Sequence, residues 1–383
     1  MRCNVCDRLL GQPIFDAGSD QALTSLCELR PGCARVWACG ACGHLRGEAL
    51  PDTSAYYESA YRILLDQDDE DQIYAVQDEK IIYRTEHQVV TLLGKLQLPE
   101  GALLLDYGCA KASTPKRLLS HRADLQVHLF DVSEMYRPYW SRFASIERCA
   151  VHHTPTRWQQ HFDLVTSFFA LEHIPEPRDT VAHIASLLND EGVFYGIVPD
   201  TFGNVADFVV IDHVNHFTAP SLHRLLRDAG FQEISIDATA HRGALVFIAR
   251  KSGTPTPAPS PAQTLSDAQA LARYWAALGD RIRSAEAQRG DLPAAVYGSG
   301  FYGAYIASTV RRPDLIRCFL DRSPFQQGKT LFGKPVVAPE LLPGDVRTLY
   351  VGLNPTVARA ALVSTEWPHK EQMELIYLDG YAP

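Results

Sequence analysis

From Ala102 onward the chain alternates short apolar runs with amphipathic stretches. The runs Leu103–Asp106, Val127–Phe130, Leu164–Phe168, Val193–Val198, Ile234–Asp237 and Ala244–Ala249 read as strands, and Asp179–Leu188 and Ser221–Ala229 as helices. Alternation of this kind predicts a parallel sheet covered by helices on both faces. Upstream, Ile81, Ile82, Val89, Val90, Leu92 and Leu93 recur at helical spacing, which places a lead-in helix over Gln77–Leu96. Leu265–Ala287 reads as one amphipathic helix with Ser266 as its N-cap. Beyond it, Ala294–Tyr297, Leu315–Leu320 and Thr348–Gly352 are strand-like and predict a second, smaller α/β unit.

The stretch Lys251–Gln263 (KSGTPTPAPSPAQ) is rich in Pro, Ser and Thr with nothing to bury, and reads as a linker. The expected order is a small module over residues 1–50, a central Rossmann-like domain with a helical lead-in over 51–250, a linker over 251–264, and a Rossmann-like lobe over 265–383. Hydrophobic residues at 46% and charged residues at 21% are ordinary globular values. A net charge of −9 without basic runs argues against nucleic acid or an acidic membrane as partner. No run of eighteen apolar residues predicts a membrane span, and the MRCNVC start lacks a signal h-region, so the expected compartment is the cytoplasm.

Six of the nine cysteines fall before residue 50. An odd total in a reducing compartment favours metal ligation over a disulfide framework. Cys3-x-x-Cys6 and Cys39-x-x-Cys42 are two knuckles in which both sulfurs can face one ion, and Gly40 and Gly43 ease the turns. Four thiolates close a tetrahedral shell, so the expected zinc is structural. Cys27 and Cys33 lie between the pairs and could each replace a ligand.

LLLDYGCAKAS (Leu103–Ser113) is an apolar strand ending in Asp106, followed by Gly108 and a helix from about Pro115. The next strand ends at Asp131, where a carboxylate can take both hydroxyls of a ribose. Ala110 and Ala112 stand where a diphosphate-binding turn would carry further glycines, so the turn suits a nucleoside cofactor without a pyrophosphate.

Asp106-Tyr-Gly108-Cys-Ala resembles the cofactor turn of class I methyltransferases, Asp131 matches that family's ribose acid, and Phe168–Ile174 (FFALEHI) matches its strand-four segment. The resemblance implies S-adenosylmethionine as cofactor, with Asp106, Gly108, Asp131 and Phe169 around it. The whole layout is similar to that of the zinc-containing nucleotide-sugar C-methyltransferases. Ile211–Thr218 (IDHVNHFT) resembles their Glu-His-x-x-Tyr-Phe-Ser stretch, which implies His213 as general base, Asp212 in place of the glutamate, and His216 near the acceptor. The family tyrosine two residues before that glutamate falls on Val210. The implied acceptor is a nucleotide-activated keto-deoxysugar, methylated at carbon. Imidazole suits removal of the weakly acidic proton beside a ketone. Methylation of a sugar oxygen would use the same base.

A second turn, Gly298-Ser-Gly300-Phe-Tyr-Gly303, follows a strand, and Asp321 ends the next one. As a dinucleotide fingerprint it implies a nicotinamide-dependent oxidoreductase. The unit is short for a dinucleotide fold, and Asp321–Val337 resembles the C-terminal lobe of the sugar C-methyltransferases. On that resemblance Gly298, Gly300 and Gly303 hold the nucleotide sugar. A binding protein without catalysis is the remaining alternative.

Overall fold

The computed structural model describes residues 1–62, 70–77, 80–363 and 365–381. The chain forms two compact units. The first comprises Met1–Gln12, Trp37–Asp207 and Asp212–Leu265; the second comprises Pro13–Val36, Phe208–Ile211 and Ser266–Pro383.

In the first unit a seven-stranded sheet runs in the order Cys149–Val151, Gln126–Asp131, Leu103–Tyr107, Phe162–Phe168, Leu188–Pro199, Ala244–Arg250, Glu233–His241. The first five strands pair in parallel. Ala244–Arg250 runs antiparallel to both of its neighbours, so the sheet is mixed where uniform alternation predicted parallel pairing throughout. The short link Arg242–Gly243, with Gly243 at φ +69°, explains the reversal: a tight turn can join only antiparallel neighbours.

Both sheet faces are apolar because successive side chains alternate sides. Leu105, Val165, Phe194 and Phe247 pack with Val181, Ile184 and Leu225 from the helices Pro177–Leu187 and Ala219–Asp228. Leu104, Leu164, Tyr195 and Val246 pack with Val89, Leu92 and Leu118 from Arg84–Lys95 and Ser113–His121. The lead-in helix starts at Arg84, later than Gln77. Ile73–Gln77 and Lys80–Tyr83 instead pair as antiparallel strands, and residues 78–79 of the expected helix lie outside the described residues. The consecutive Ile81, Ile82 and Tyr83 favour a strand, which outweighs their helical spacing to Val89.

In the second unit a six-stranded sheet runs Thr330–Leu331, Lys334–Val337, Ile316–Leu320, Ala294–Tyr297, Thr348–Val351, Glu374–Tyr377. The last five strands pair in parallel, and Thr330–Leu331 forms a hairpin with Lys334–Val337. Within the same unit the Ile211 amide donates to Leu23 O at 3.1 Å, and the Phe15 and Phe208 rings lie 5.5 Å apart. Among the described residues no helix is long and apolar enough to cross a membrane.

Candidate active site

The first turn lies at the carboxyl edge of the central sheet. Gly108 has φ +76°, and a Cβ placed there would stand 2.8 Å from the Ala170 Cβ. Ala110, Ala112 and Phe169 also take positive φ, of 45°, 58° and 54°. Non-glycine residues rarely hold such angles unless the surrounding structure fixes them. At Ala110 Asp131 supplies that fixation: Oδ2 accepts from the Ala110 amide at 2.7 Å and Oδ1 from the Ser133 amide at 3.0 Å, while the Ala112 and Phe169 amides donate to Cys109 O and Ile197 O, each at 2.7 Å. Asp106 accepts from the Thr166 hydroxyl at 2.7 Å, and burial, partly opposed by that bond, raises its carboxyl to about 7. The Phe169 ring lies under the Arg84 guanidinium, 3.7 Å from ring centre to Cζ. One close-approach glycine, an acid at the neighbouring strand end and no glycine-rich cradle fit an adenosyl cofactor without a diphosphate. Gly108→Ala should weaken S-adenosylhomocysteine binding roughly tenfold, because left-handed strain of about 1–2 kcal/mol adds to the contact with Ala170. Calorimetric titration checks this, and unchanged affinity would place the cofactor elsewhere.

Across the same edge a buried cluster gathers around two histidines. His213 Nδ1 lies 2.6 Å from Asp207 Oδ1, and His216 Nδ1 lies 3.1 Å from Asp207 Oδ2. Asp207, fully buried, is the partner that sequence reasoning missed. Its only signal was its place six residues before His213, in the one-turn helix Val205–Val209. Burial alone would push the His213 imidazole down. The Asp207 hydrogen bond and charge, with Asp212 and Glu172 behind them, outweigh burial and raise it to about 9. Asp207 itself is held below the usual carboxylate range despite burial, by both imidazoles.

Asp212, expected beside the base, faces His173 instead: its Oδ2 is 3.8 Å from His173 Nδ1. Its backbone carbonyl accepts from the Tyr57 hydroxyl at 2.7 Å and lies 3.0 Å from His173 Nδ1. His216, expected at the acceptor, is 1% exposed and braces Asp207. Tyr57 and Tyr61 pack around His173 with tilted rings, their centres 5.2 and 5.3 Å from it. Burial, aided by the His213 charge, pushes His173 down to about 4, so its imidazole is neutral. Glu172, His173 and His213 each place one ligand-type atom within 4.8 Å of the others.

The four cysteines Cys3, Cys6, Cys39 and Cys42 converge as their spacing predicts. Their sulfurs lie within 4.8 Å of one another, with Cys3 to Cys42 at 3.7 Å and Cys6 to Cys39 at 3.5 Å. Four sulfurs about 2.3 Å from a tetrahedral zinc would be separated by roughly 3.8 Å, so the donor set fits that ion. The knuckles are wired to the histidine cluster. Asn4 donates to Asn215 Oδ1 at 2.6 Å and to Pro175 O at 3.1 Å. Asn215 in turn donates to Leu171 O at 2.8 Å and Ile174 O at 2.7 Å, on either side of Glu172 and His173. The strand Leu45–Gly47, just after Cys42, pairs with Asn215–His216. Gly47 permits this approach, since a Cβ there would stand 2.7 Å from His213 O.

In the second unit, Gly298 has φ +95° and a Cβ there would stand 2.5 Å from Gly352 O, whereas Gly300 faces open space. Gly303 abuts Gly298 O and serves close packing. Asp321 Oδ2 accepts from the Ser299 amide at 3.0 Å and the Ser299 hydroxyl at 2.6 Å, and Oδ1 accepts from the Ser323 amide at 2.9 Å. Asp131 holds the first turn in the same manner.

A glycine turn after the first strand, an acid ending the second and a reversed strand near one edge define the central domain as a class I S-adenosylmethionine-dependent methyltransferase domain. The protein is an S-adenosylmethionine-dependent methyltransferase. Residues 78–236 match a family model described as a methyltransferase domain. No curated protein matches the chain. Among solved structures, the Burkholderia thailandensis 1,6-didemethyltoxoflavin-N1-methyltransferase is 23% identical, with a TM-score of 0.34 over 44% of this chain and 78% of that one. The CurJ carbon methyltransferase is 14% identical, with a TM-score of 0.35; the match covers 42% of this chain and about half, 51%, of that one. The citrinin polyketide synthase CMeT domain structure is 13% identical, with a TM-score of 0.36 over 43% of this chain and 50% of that one.

Proposed function

We propose that the enzyme methylates a carbon of a nucleotide-activated keto-deoxysugar, with His213 removing the proton beside the ketone. The observation that carries this reading is the buried Asp207–His213 pair: Asp207 occupies Nδ1, and no described residue bonds Nε2. Asp207 steadies the imidazolium that forms, and the Tyr57–Tyr61–His173 cluster shields the reacting centre from water. Bound S-adenosylmethionine supplies the electrophilic methyl group, held by Gly108, Asp131 and Phe169. The four-cysteine site holds a structural zinc, in keeping with a reducing cytoplasm.

Carbon methylation requires proton loss before methyl transfer, whereas oxygen methylation leaves every sugar C–H intact. With S-adenosylhomocysteine present and no methyl donor, the enzyme should exchange the proton beside the ketone of a thymidine-diphosphate keto-deoxysugar for deuterium in heavy water, as read by NMR. A methylated product formed without such exchange, carrying its methyl on oxygen, would sink the carbon reading.

A further inference from the structure

We infer that Glu172 is a catalytic residue that holds the acceptor's carbonyl oxygen, donating a hydrogen bond from a neutral carboxyl while His213 removes the adjacent proton. This rests on the proposed carbon methylation.

Glu172 is 1% exposed, and its Oε2 has no hydrogen-bond partner among the described residues. A buried polar atom without a partner costs about 1–3 kcal/mol, so its retention calls for a ligand or a chemical task. Oε2 is also not adrift. The two Asn215 bonds fix the carbonyls flanking Glu172, and the turn follows the strand Phe162–Phe168 at the sheet's carboxyl edge. His213 and His173 have each committed Nδ1 elsewhere, to Asp207 and to the Asp212 carbonyl. The unspent groups of the cluster are therefore an acid and a base on two residues that each place a carboxylate oxygen or ring nitrogen within 4.8 Å of the other. That separation suits a ketone oxygen at one and the neighbouring C–H at the other.

Chemistry fixes the protonation state this arrangement needs. When the C–H bond breaks, its proton goes to His213, and its electron pair spreads onto the ketone oxygen. An ionised Glu172 would repel that oxygen, whereas a neutral carboxyl donates to it and keeps its own proton. Burial raises Glu172 to about 7; His213 and Arg84 oppose the rise and Asp207 adds to it. The other groups around the pair, His173, Asp212 and Tyr57, are engaged with one another.

The test is Glu172→Gln beside Glu172→Ala, assayed for methyl transfer across pH, with S-adenosylhomocysteine affinity as the folding control. Glutamine retains a donor N–H and should keep activity within about tenfold, while alanine should lose about 10²–10³-fold in kcat. The active form of the wild type pairs a neutral Glu172, about 7, with a neutral His213, about 9. Activity should thus rise to about pH 7, stay level to about 9 and fall above it. In Glu172→Gln the alkaline fall should vanish while the acid-side rise remains. Three outcomes overturn the inference: glutamine as inactive as alanine, an alkaline fall that persists in Glu172→Gln, or a second bound metal per chain, beyond that of the four cysteines, lost in Glu172→Gln. Absence of deuterium exchange in the wild type would instead defeat the carbon-methylation reading beneath it, which keeps the two failures apart.

Discussion

His213→Ala is expected to lower methyl transfer by about 10²–10⁴-fold, the usual contribution of a positioned general base, while changing S-adenosylhomocysteine affinity by no more than about twofold. The separation follows from geometry. His213 bonds to Asp207, and the cofactor turn is held by a different acid, Asp131. Asp207→Asn should fall between the wild type and His213→Ala. It keeps a side chain able to bond the ring but withdraws the charge that raises the imidazole to about 9, so the acid-side rise should move to lower pH. Added imidazole should partly restore His213→Ala, because truncation opens space where the ring stood. Parallel loss of turnover and of cofactor affinity in His213→Ala would make this side chain a support of the fold rather than the base.

Cys39→Ser should abolish turnover and release the metal while leaving the cofactor site able to bind S-adenosylhomocysteine. A zinc held by the four sulfurs would add roughly 10–16 kcal/mol, as in small metal-organised folds, to the packing of Cys3, Val5, Cys39 and Cys42 in the core. Two paths carry that loss to the chemistry. The Cys3–Cys6 knuckle holds Asn4, which braces Asn215 and the Pro175 carbonyl, and the segment after Cys42 pairs directly with Asn215–His216. The Gly108 turn, by contrast, rests on the central sheet. Zinc content, methyl transfer and adenosylhomocysteine titration on one preparation decide the matter. Full activity in metal-free Cys39→Ser would show that the knuckles do not position the base.

Much of the central sheet could be read from its apolar runs, because burial on both faces leaves uninterrupted Leu, Val, Ile and Phe. The four cysteines were equally legible, since ligand spacing is a local constraint. The reversed strand Ala244–Arg250 was seen as a strand but not in its direction, which depends on pairing rather than composition. The hairpin before Arg84 was missed because Ile81 and Ile82 suit either periodicity over so short a run. In the histidine cluster, His213 came from a motif, but its partner did not. Asp207 could have been any acidic residue of a loop until the fold folded it back onto two imidazoles. Glu172 and Asn215 acquired their roles only through contacts with residues far away in sequence, and no local pattern marks such contacts.

The pairing of Asn4 with Asn215 spans 211 positions, so this brace joins parts of the chain that lie far apart in sequence. Until residue 215 and the strand around it have been made, the opening knuckle has nothing to brace. Contacts that join distant positions form slowly because a long loop must close first. The cofactor turn rests on the central sheet and the base segment rests on this long-range brace, so loss of a metal from the four cysteines would bear on the second more than on the first.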